Sequence, residues 1–447
     1  MASNNIGKIQ SKKITGEIKI SPFIEKDAKR EAKNIADFKK KIEKSLSRKT
    51  TDLVEIILAG SFFLEGSDIH IEPGEEEVKM RLRIDGVLHD VVTLDLEVYE
   101  RILARIKLLS RLKLNVTDRP QDGRFSILIE GISVEIRTSS IPAEYGESLV
   151  LRILNPKWVV SMEELGLRKD LLKLFEKEIK KPNGMIICTG PTGSGKTTTL
   201  YAFLQKIITP EIKIITIEDP IEYHLKGVSQ SQVDESHGYT FANGLRAIVR
   251  QDPDIILVGE IRDLETAQIS LQASLTGHLV LSTVHTNDAA GTIARLQALG
   301  EEATNIAPAL NIAIGQRLVR EVCPKCVKMK KPTPEHLKEL KRALKGLPKE
   351  VGAPKITQNT KIPYAEGCKE CNFTGYKGRM GIFEAFVVDD EMERFILTSP
   401  SIADMREKAI EKGMVLMRQD GFLKVLQGHT TISEVERVTR EAEENSK

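Results

Sequence analysis

Aromatic residues make up only 5% of this 447-residue chain, with a single tryptophan among them. Basic side chains are nowhere interleaved with aromatic ones, and the formal net charge is only +2. Both absences speak against a dedicated nucleic-acid binder, which needs a concentrated positive footprint and stacking platforms. No apolar run reaches the ~20 residues that cross a bilayer. The N-terminus has no secretory core, so a cytosolic chain is expected. Five cysteines in a cytosolic protein point to metal or chance, not to disulfides. The remainder is ordinary: 40% hydrophobic and 29% charged residues describe a globular protein, and at ~100–200 residues per domain the length predicts about two to four domains. The charge is uneven. Residues 1–50 hold 14 Lys or Arg against 6 Asp or Glu, so this stretch is expected to be a basic arm. It is either solvated or docked on an acidic partner or an anionic membrane face.

What is present centres on Gly190-Pro191-Thr192-Gly193-Ser194-Gly195-Lys196-Thr197-Thr198, which fits the P-loop pattern G-x-x-x-x-G-K-[ST]. Phosphate must approach backbone N–H groups closely, and side chains at Gly190, Gly193 and Gly195 would block it or forbid the required φ. Lys196 is a point charge for the terminal phosphates of ATP, and Thr197 offers a hydroxyl to Mg²⁺. The apolar run Gly184 to Thr189 before the loop reads as a buried strand, and Leu200 to Leu204 after it continues a helix whose positive end faces the same anion.

Three further apolar runs end in polar chemistry. Ile212 to Ile217 leads into Glu218-Asp219-Pro220-Ile221-Glu222, a set of carboxylates on a strand expected to neighbour the P-loop strand. Glu218 or Glu222 is a candidate to orient an attacking water. Ile255 to Val258 ends in Gly259-Glu260, a Walker-B-like strand with Glu where Asp is usual; Glu260 is a candidate for holding Mg²⁺ or ordering water. Gly277 to Asp288 carries His278 and His285, an odd spacing that puts them on opposite faces of a straight strand. His285 is the candidate γ-phosphate sensor, and His278 reads as a satisfied imidazole.

Upstream, residues 51–156 read as a small α+β domain. A helix is expected over Asp52 to Leu64. Strands are expected around Ile69, Met80, Phe125, Val134 and Leu151, with turns at Asp85-Gly86 and Gln121-Asp122-Gly123. His70, flanked by Asp68 and Glu72, has no second His or Cys near in sequence and reads as a surface residue rather than a ligand. Arg124, Arg137 and Arg152 lie on or beside these strands, either as solvated surface or as groups that reach a nucleotide. Residues 157–180 read as a linker and helix, 181–322 as the ATPase core, 323–371 as an insert and 372–447 as a helical C-terminal subdomain. In the insert, Cys323-x-x-Cys326 and Cys368-x-x-Cys371 form two CxxC pairs. Four thiolates make a closed tetrahedral Zn²⁺ site with no open position, so its expected role is structural.

Together these motifs, in their order from Ser67-Asp68-Ile69-His70-Ile71-Glu72-Pro73 and Arg119-Pro120-Gln121-Asp122-Gly123-Arg124 through the P-loop, Ile217 to Glu222, Arg250-Gln251-Asp252-Pro253-Asp254, Gly277 to Asp288 and the four cysteines, resemble the type II secretion and type IV pilus assembly ATPases. The resemblance implies an α/β chain with a PAS-like first domain and a RecA-like core. It implies a homo-hexameric, Mg²⁺-dependent ATPase at the cytoplasmic side of the inner membrane, working with a platform protein and a cytoplasmic docking partner to drive pilins or pseudopilins. It maps catalytic carboxylates onto Glu218 and Glu260, and nucleotide-completing arginines onto Arg124, Arg137 and Arg152. The cysteine insert argues for the assembly branch over the retraction branch. Family members usually carry a sizeable folded N-terminal domain, whereas here only residues 1–50 precede the PAS-like part, which implies docking through the basic arm or a reduced system. A RecA-like nucleic-acid translocase is the rival reading, and nothing in the residues separates secretion from pilus assembly.

Overall fold

The computed structural model describes residues 16–158, 160–352, 354–357 and 359–444. They divide into two compact units. One holds the described residues up to Pro156 with the short segment Lys369–Phe373; the other holds Lys157–Cys368 and Thr374 onward. The architecture is mixed α/β, as expected.

The first unit runs β1 (Gly16–Lys19), α1 (Pro22–Glu31), α2 (Ile35–Glu43), α3 (Thr50–Phe63), β2 (Asp68–Pro73), β3 (Val78–Ile84), β4 (Val87–Leu94), α4 (Leu96–Leu109), β5 (Gln121–Ile129), β6 (Ile132–Ala143) and β7 (Gly146–Leu154). Its strands form one sheet in the order β1-β5-β6-β7-β2-β3-β4. Alternating residues such as Phe125, Ile127 and Ile129 are buried on one face, the period-2 pattern of a half-buried sheet. Asp85 and Gly86 both take positive φ, so the β3–β4 hairpin turns as predicted.

Two sequence expectations are corrected here. Gln121-Asp122-Gly123 is not a turn but the start of β5. A Cβ on Gly123 would lie 2.3 Å from the Ser110 carbonyl oxygen, so the glycine permits close approach of another chain segment. The turn falls at Glu130-Gly131, both at positive φ. Nor is the basic stretch a solvated arm where it is described. β1 pairs in parallel with β5, and Ile20, Ile24, Phe38 and Ile42 are buried in the unit's core. The lysines dominate the composition because they line the outer face of short amphipathic helices; Phe38 and Ile42, four apart, sit on the inner face of α2. Residues 1–15 of the arm lie outside the described residues.

The second unit runs α5 (Lys169–Glu178), β8 (Gly184–Thr189), α6 (Lys196–Ile207), β9 (Ile214–Glu218), β10 (Ser229–Gln232), α7 (Phe241–Val249), β11 (Ile255–Val258), α8 (Leu264–Leu275), β12 (Leu279–Val284), α9 (Gly291–Ala298), α10 (Ala303–Ala309), β13 (Leu310–Val322), β14 (Val327–Lys330), α11 (Pro334–Ala343), β15 (Ile362–Ala365), β16 (Tyr376–Val387), α12 (Asp390–Ile396), α13 (Ile402–Glu411), α14 (Met417–Leu426) and α15 (Ile432–Glu444). Its main sheet has the order β10-β9-β11-β12-β8-β13-β16. Strands β9 to β13 are parallel to their neighbours and only the β13–β16 pair is antiparallel. Every residue of β8, β9, β11 and β12 is buried, which is why these strands read as continuous apolar runs rather than alternating ones. β14 and β15 form a separate ribbon in the insert.

The sheet order corrects one further expectation. β9, which carries Glu218, does not neighbour the P-loop strand: β11 and β12 lie between. Strand order in a parallel sheet is set by crossover packing, which an ordered list of runs does not encode.

Candidate nucleotide site and cysteine cluster

The carboxyl ends of parallel strands are where an α/β sheet presents its chemistry, and the second unit gathers the predicted residues there. The P-loop joins the end of β8 to α6, with Gly190, Gly193 and Gly195 all at positive φ. A Cβ on Gly190 would lie 2.5 Å from the Gln316 carbonyl oxygen, so the loop is pressed against β13 and only glycine fits. Lys196 is 9% exposed and its Nζ donates to the Gly190 carbonyl at 2.8 Å and to that of Pro191 at 3.2 Å. Burial holds its ammonium below lysine's usual pKa, and the Glu260 carboxylate opposes that shift. A partly desolvated ammonium is poised to gain from an arriving polyphosphate. Thr197 and Thr198 follow in the first turn of α6.

Glu260 stands just past β11 and His285 just past β12, and the two adjacent strands bring them together: His285 Nε2 lies 3.4 Å from Glu260 Oε2. Arg262 donates to the other Glu260 oxygen. Burial first, then the Lys196 charge, keeps the His285 pKa below the usual imidazole value, while Glu260 pulls it up. Lys196, Glu260, His285 and Arg262 therefore form one electrostatic cluster. His278, at the other end of β12, donates from Nδ1 to the Ala273 carbonyl at 2.9 Å, the satisfied imidazole expected.

Glu218 is placed differently. It is 3% exposed, and its carboxylate is held by Tyr201 on α6, by Thr216 Oγ1 at 2.5 Å and by Gln230 Nε2 at 3.2 Å. Glu222 lies within electrostatic range of both Lys196 and Tyr201. The strand exit thus splits into an anchored carboxylate, Glu218, and a second, Glu222, whose charge acts on Lys196.

Several participants carry no local sequence signal. Gln316 on β13 accepts from Thr199 Oγ1 at 2.8 Å, and Arg317 donates to the Asn287 carbonyl at 3.0 Å while facing the Lys196 charge. Tyr201 and Gln230 fix Glu218.

In the first unit, Arg124 pairs across strands with Arg137, Arg137 with Arg152, and Arg152 with Asp68. Directly opposed residues share a sheet face, so the three arginines form one lateral row on the face opposite Phe125, Ile136 and Ile153. Asp68 closes the row, accepting from Arg152 Nε at 2.9 Å. His70 Nδ1 lies 3.8 Å from Glu72, and no His, Cys or further carboxylate gathers with it as a metal group among the described residues.

The four insert cysteines, Cys323, Cys326, Cys368 and Cys371, have their sulfurs all within 4.8 Å of one another. Cys323 and Cys368 Sγ are 3.9 Å apart. Tetrahedral zinc with Zn–S bonds of ~2.3 Å requires S···S edges of about 3.8 Å, so the donor set fits that ion. The cluster lies beyond the far end of β13 from the P-loop. Gln316 to Cys323 spans seven residues of extended chain, roughly 23 Å at ~3.3 Å per residue. Cys326→Ser should therefore lower bound zinc below one per chain and lower Tm, while the ATP Kd stays within about threefold. A large loss of ATP binding with Tm unchanged, by calorimetry on the same sample, would contradict this separation.

No described helix is long and apolar enough to cross a membrane. Residues 44–437 match the family model described as Type II/IV secretion system protein. The chain is 41% identical over 421 residues to the type IV pilus assembly ATPase PilB of Thermus thermophilus, covering 94% of this chain and 46% of that protein. It is 44% identical over 387 residues to the type II secretion system ATPase E of Vibrio cholerae, covering 86% of this chain and 74% of that one. Among solved structures it is similar to the pilus retraction motor PilT with bound ADP, at 25% identity and TM-score 0.58 over 88% of this chain and 98% of that one. The Legionella pneumophila ATPase DotB shares the fold at TM-score 0.63, 22% identity, and 88% and 97% coverage. The chain spans about half the length of the first relative and three quarters of the second. With that match over most of its length, on a core whose strand ends gather the P-loop, Glu260 and His285, the chain belongs to the type II/IV secretion system protein family.

Proposed function

We infer that the chain is an ATP-hydrolysing assembly motor of a type II secretion system or type IV pilus. One observation carries the reading: Lys196, Glu260, His285 and Arg262 converge at the carboxyl ends of β8, β11 and β12. That is a site built to neutralise charge on a transferring phosphoryl group, which is where most phosphoryl-transfer catalysis lies. Gly190 to Thr198 cradle the phosphates of ATP, and Lys196 supplies the point charge. Thr197 and Glu260 would hold Mg²⁺, which would supply positive charge to offset that of the phosphates. His285 senses the terminal phosphate. Glu218, anchored by Tyr201, or Glu222, whose charge acts on Lys196, orients the attacking water. The row of Arg124, Arg137 and Arg152 supplies guanidinium groups whose fork matches phosphate oxygens. The cysteine cluster would hold Zn²⁺ as a structural clip. The working form is a homo-hexamer on the cytoplasmic face of the inner membrane, bound to a platform protein and a docking partner. Exposed lysines of residues 16–50, among them Lys26, Lys29 and Lys40, favour anionic lipid.

The test is ATP hydrolysis by the purified chain alone, with anionic lipid vesicles and with single-stranded DNA. Mg²⁺-dependent turnover that lipid raises and DNA leaves unchanged is the expected result. Stimulation by DNA alone would replace the motor reading with a translocase.

A further inference from the structure

The loop that follows His285 is tied at both ends to other elements. On one side, Thr189, the last residue of the P-loop strand, meets Thr286: their hydroxyl oxygens are 2.5 Å apart, and Thr286 N donates to Thr189 Oγ1 at 2.9 Å. On the other side stands Glu384 of β16, 3% exposed. One of its oxygens accepts from the Ala289 amide at 2.8 Å, and the other from the Met417 amide at 3.0 Å. Met417 opens α14. Asp288 Oδ1 caps the Gly291 amide at 2.8 Å, and its other oxygen is held by Arg406 of α13. Helix α13 thus holds this short loop directly through Arg406, and α14 is linked to it through Glu384.

The sheet register explains how the contact is possible. Thr189, Gly315 and Glu384 lie side by side on β8, β13 and β16. Gly315 leaves the space above the sheet open: a Cβ there would lie 2.9 Å from Ala289 N and 3.0 Å from Glu384 Cγ. A buried carboxylate is expensive to keep, and a core built only for stability would place an apolar side chain here.

We propose that Glu384 is a positioning residue that couples the His285–Ala289 loop at the nucleotide site to helices α13 and α14, so that loading of the site and the packing of the C-terminal helices change together. The inference rests on the motor reading for its nucleotide but on geometry for the link. The carboxylate, with two charged acceptor oxygens, holds both amides best; protonation leaves one oxygen a weaker acceptor, and a carboxamide presents a donor to one amide. Burial, and then the Asp288 charge, raises the Glu384 pKa to about 7, opposed by the two amides and by Arg406. Arg317, on β13, faces the same loop through the Asn287 carbonyl.

The experiment compares the wild-type chain with Glu384→Gln, which keeps the shape, and Glu384→Ala. At pH 8 Glu384→Gln should lower kcat about tenfold with KM for ATP nearly unchanged, the effect of one lost charge-assisted hydrogen bond. The wild-type to Glu384→Gln ratio of kcat should fall toward one at pH 6, where Glu384 is mostly protonated; taking the ratio cancels the titration of His285. Hydrogen exchange read on residues 286–291 and 416–420 should slow together when an ATP analogue binds the wild type, and should uncouple in both variants. A pH-independent ratio, or exchange at 416–420 that ignores nucleotide in the wild type, would overturn the proposal. Absence of ATP turnover in the wild type would instead sink the motor reading, with the exchange measurement still deciding the link: in Glu384→Ala without nucleotide both segments should exchange faster, and loosening of only one would overturn it.

Discussion

Lys196→Ala should abolish turnover, with kcat reduced by at least ~10²–10³-fold, the scale seen when one preorganised charge donor is removed from a transition state. Nucleotide affinity should fall by about tenfold to a hundredfold, since a hydrogen bond to a charged group contributes ~1.5–3 kcal/mol. The fold should survive. Among the described residues Lys196 Nζ donates to the Gly190 and Pro191 carbonyls of its own loop, and α6 is anchored by Leu200, Phe203 and Leu204 in the core. Steady-state hydrolysis beside a thermal melt checks both halves. Turnover within twofold of wild type, with an unchanged melt, would remove the loop from the reaction.

Glu260→Gln should separate the two effects: ATP bound with near-normal Kd, and hydrolysis lowered by about 10²–10³-fold. Its carboxylate is close to isosteric with the amide, so loss of charge is the main change. That loss has a second readout. Glu260 pulls the His285 pKa up against burial and the Lys196 charge. Without it the imidazole should titrate at still lower pH, and the histidine resonance should move that way in an NMR titration. Normal hydrolysis would move the metal or water role to Glu218 or Glu222. An unmoved His285 titration would break the electrostatic cluster described above.

Local patterns carried a large part of the molecule. The P-loop needs its glycines wherever it occurs, because backbone N–H groups must meet phosphate, so Gly190 to Thr198 were legible before any fold was known. Strands β8, β9, β11 and β12 were legible because strands buried on both faces must be apolar throughout. Two CxxC pairs were legible because tetrahedral thiolate ligation has so few sequence solutions, and the four sulfurs do gather. The first fifty residues misled for the converse reason. Their lysines dominate composition, whereas a few residues, Ile20, Ile24, Phe38 and Ile42, decide that residues 16–44 pack.

What no local pattern contains is adjacency between strands. Glu218 and Glu260 each end an apolar run, and in sequence they look alike. The sheet order places β11 and not β9 beside β12, so Glu260 meets His285 while Glu218 is turned to Tyr201, Thr216 and Gln230. The arginine row exists only because β5, β6, β7 and β2 stack Arg124, Arg137, Arg152 and Asp68 in register. Glu384 lies 95 residues from Ala289 and 33 from Met417, and nothing near it in the chain marks it out. Residue type and spacing settle which chemistry a segment can perform, because those demands are local. Which segments perform it together is settled by packing, because burial of every apolar face at once is a property of the whole sheet and its helices.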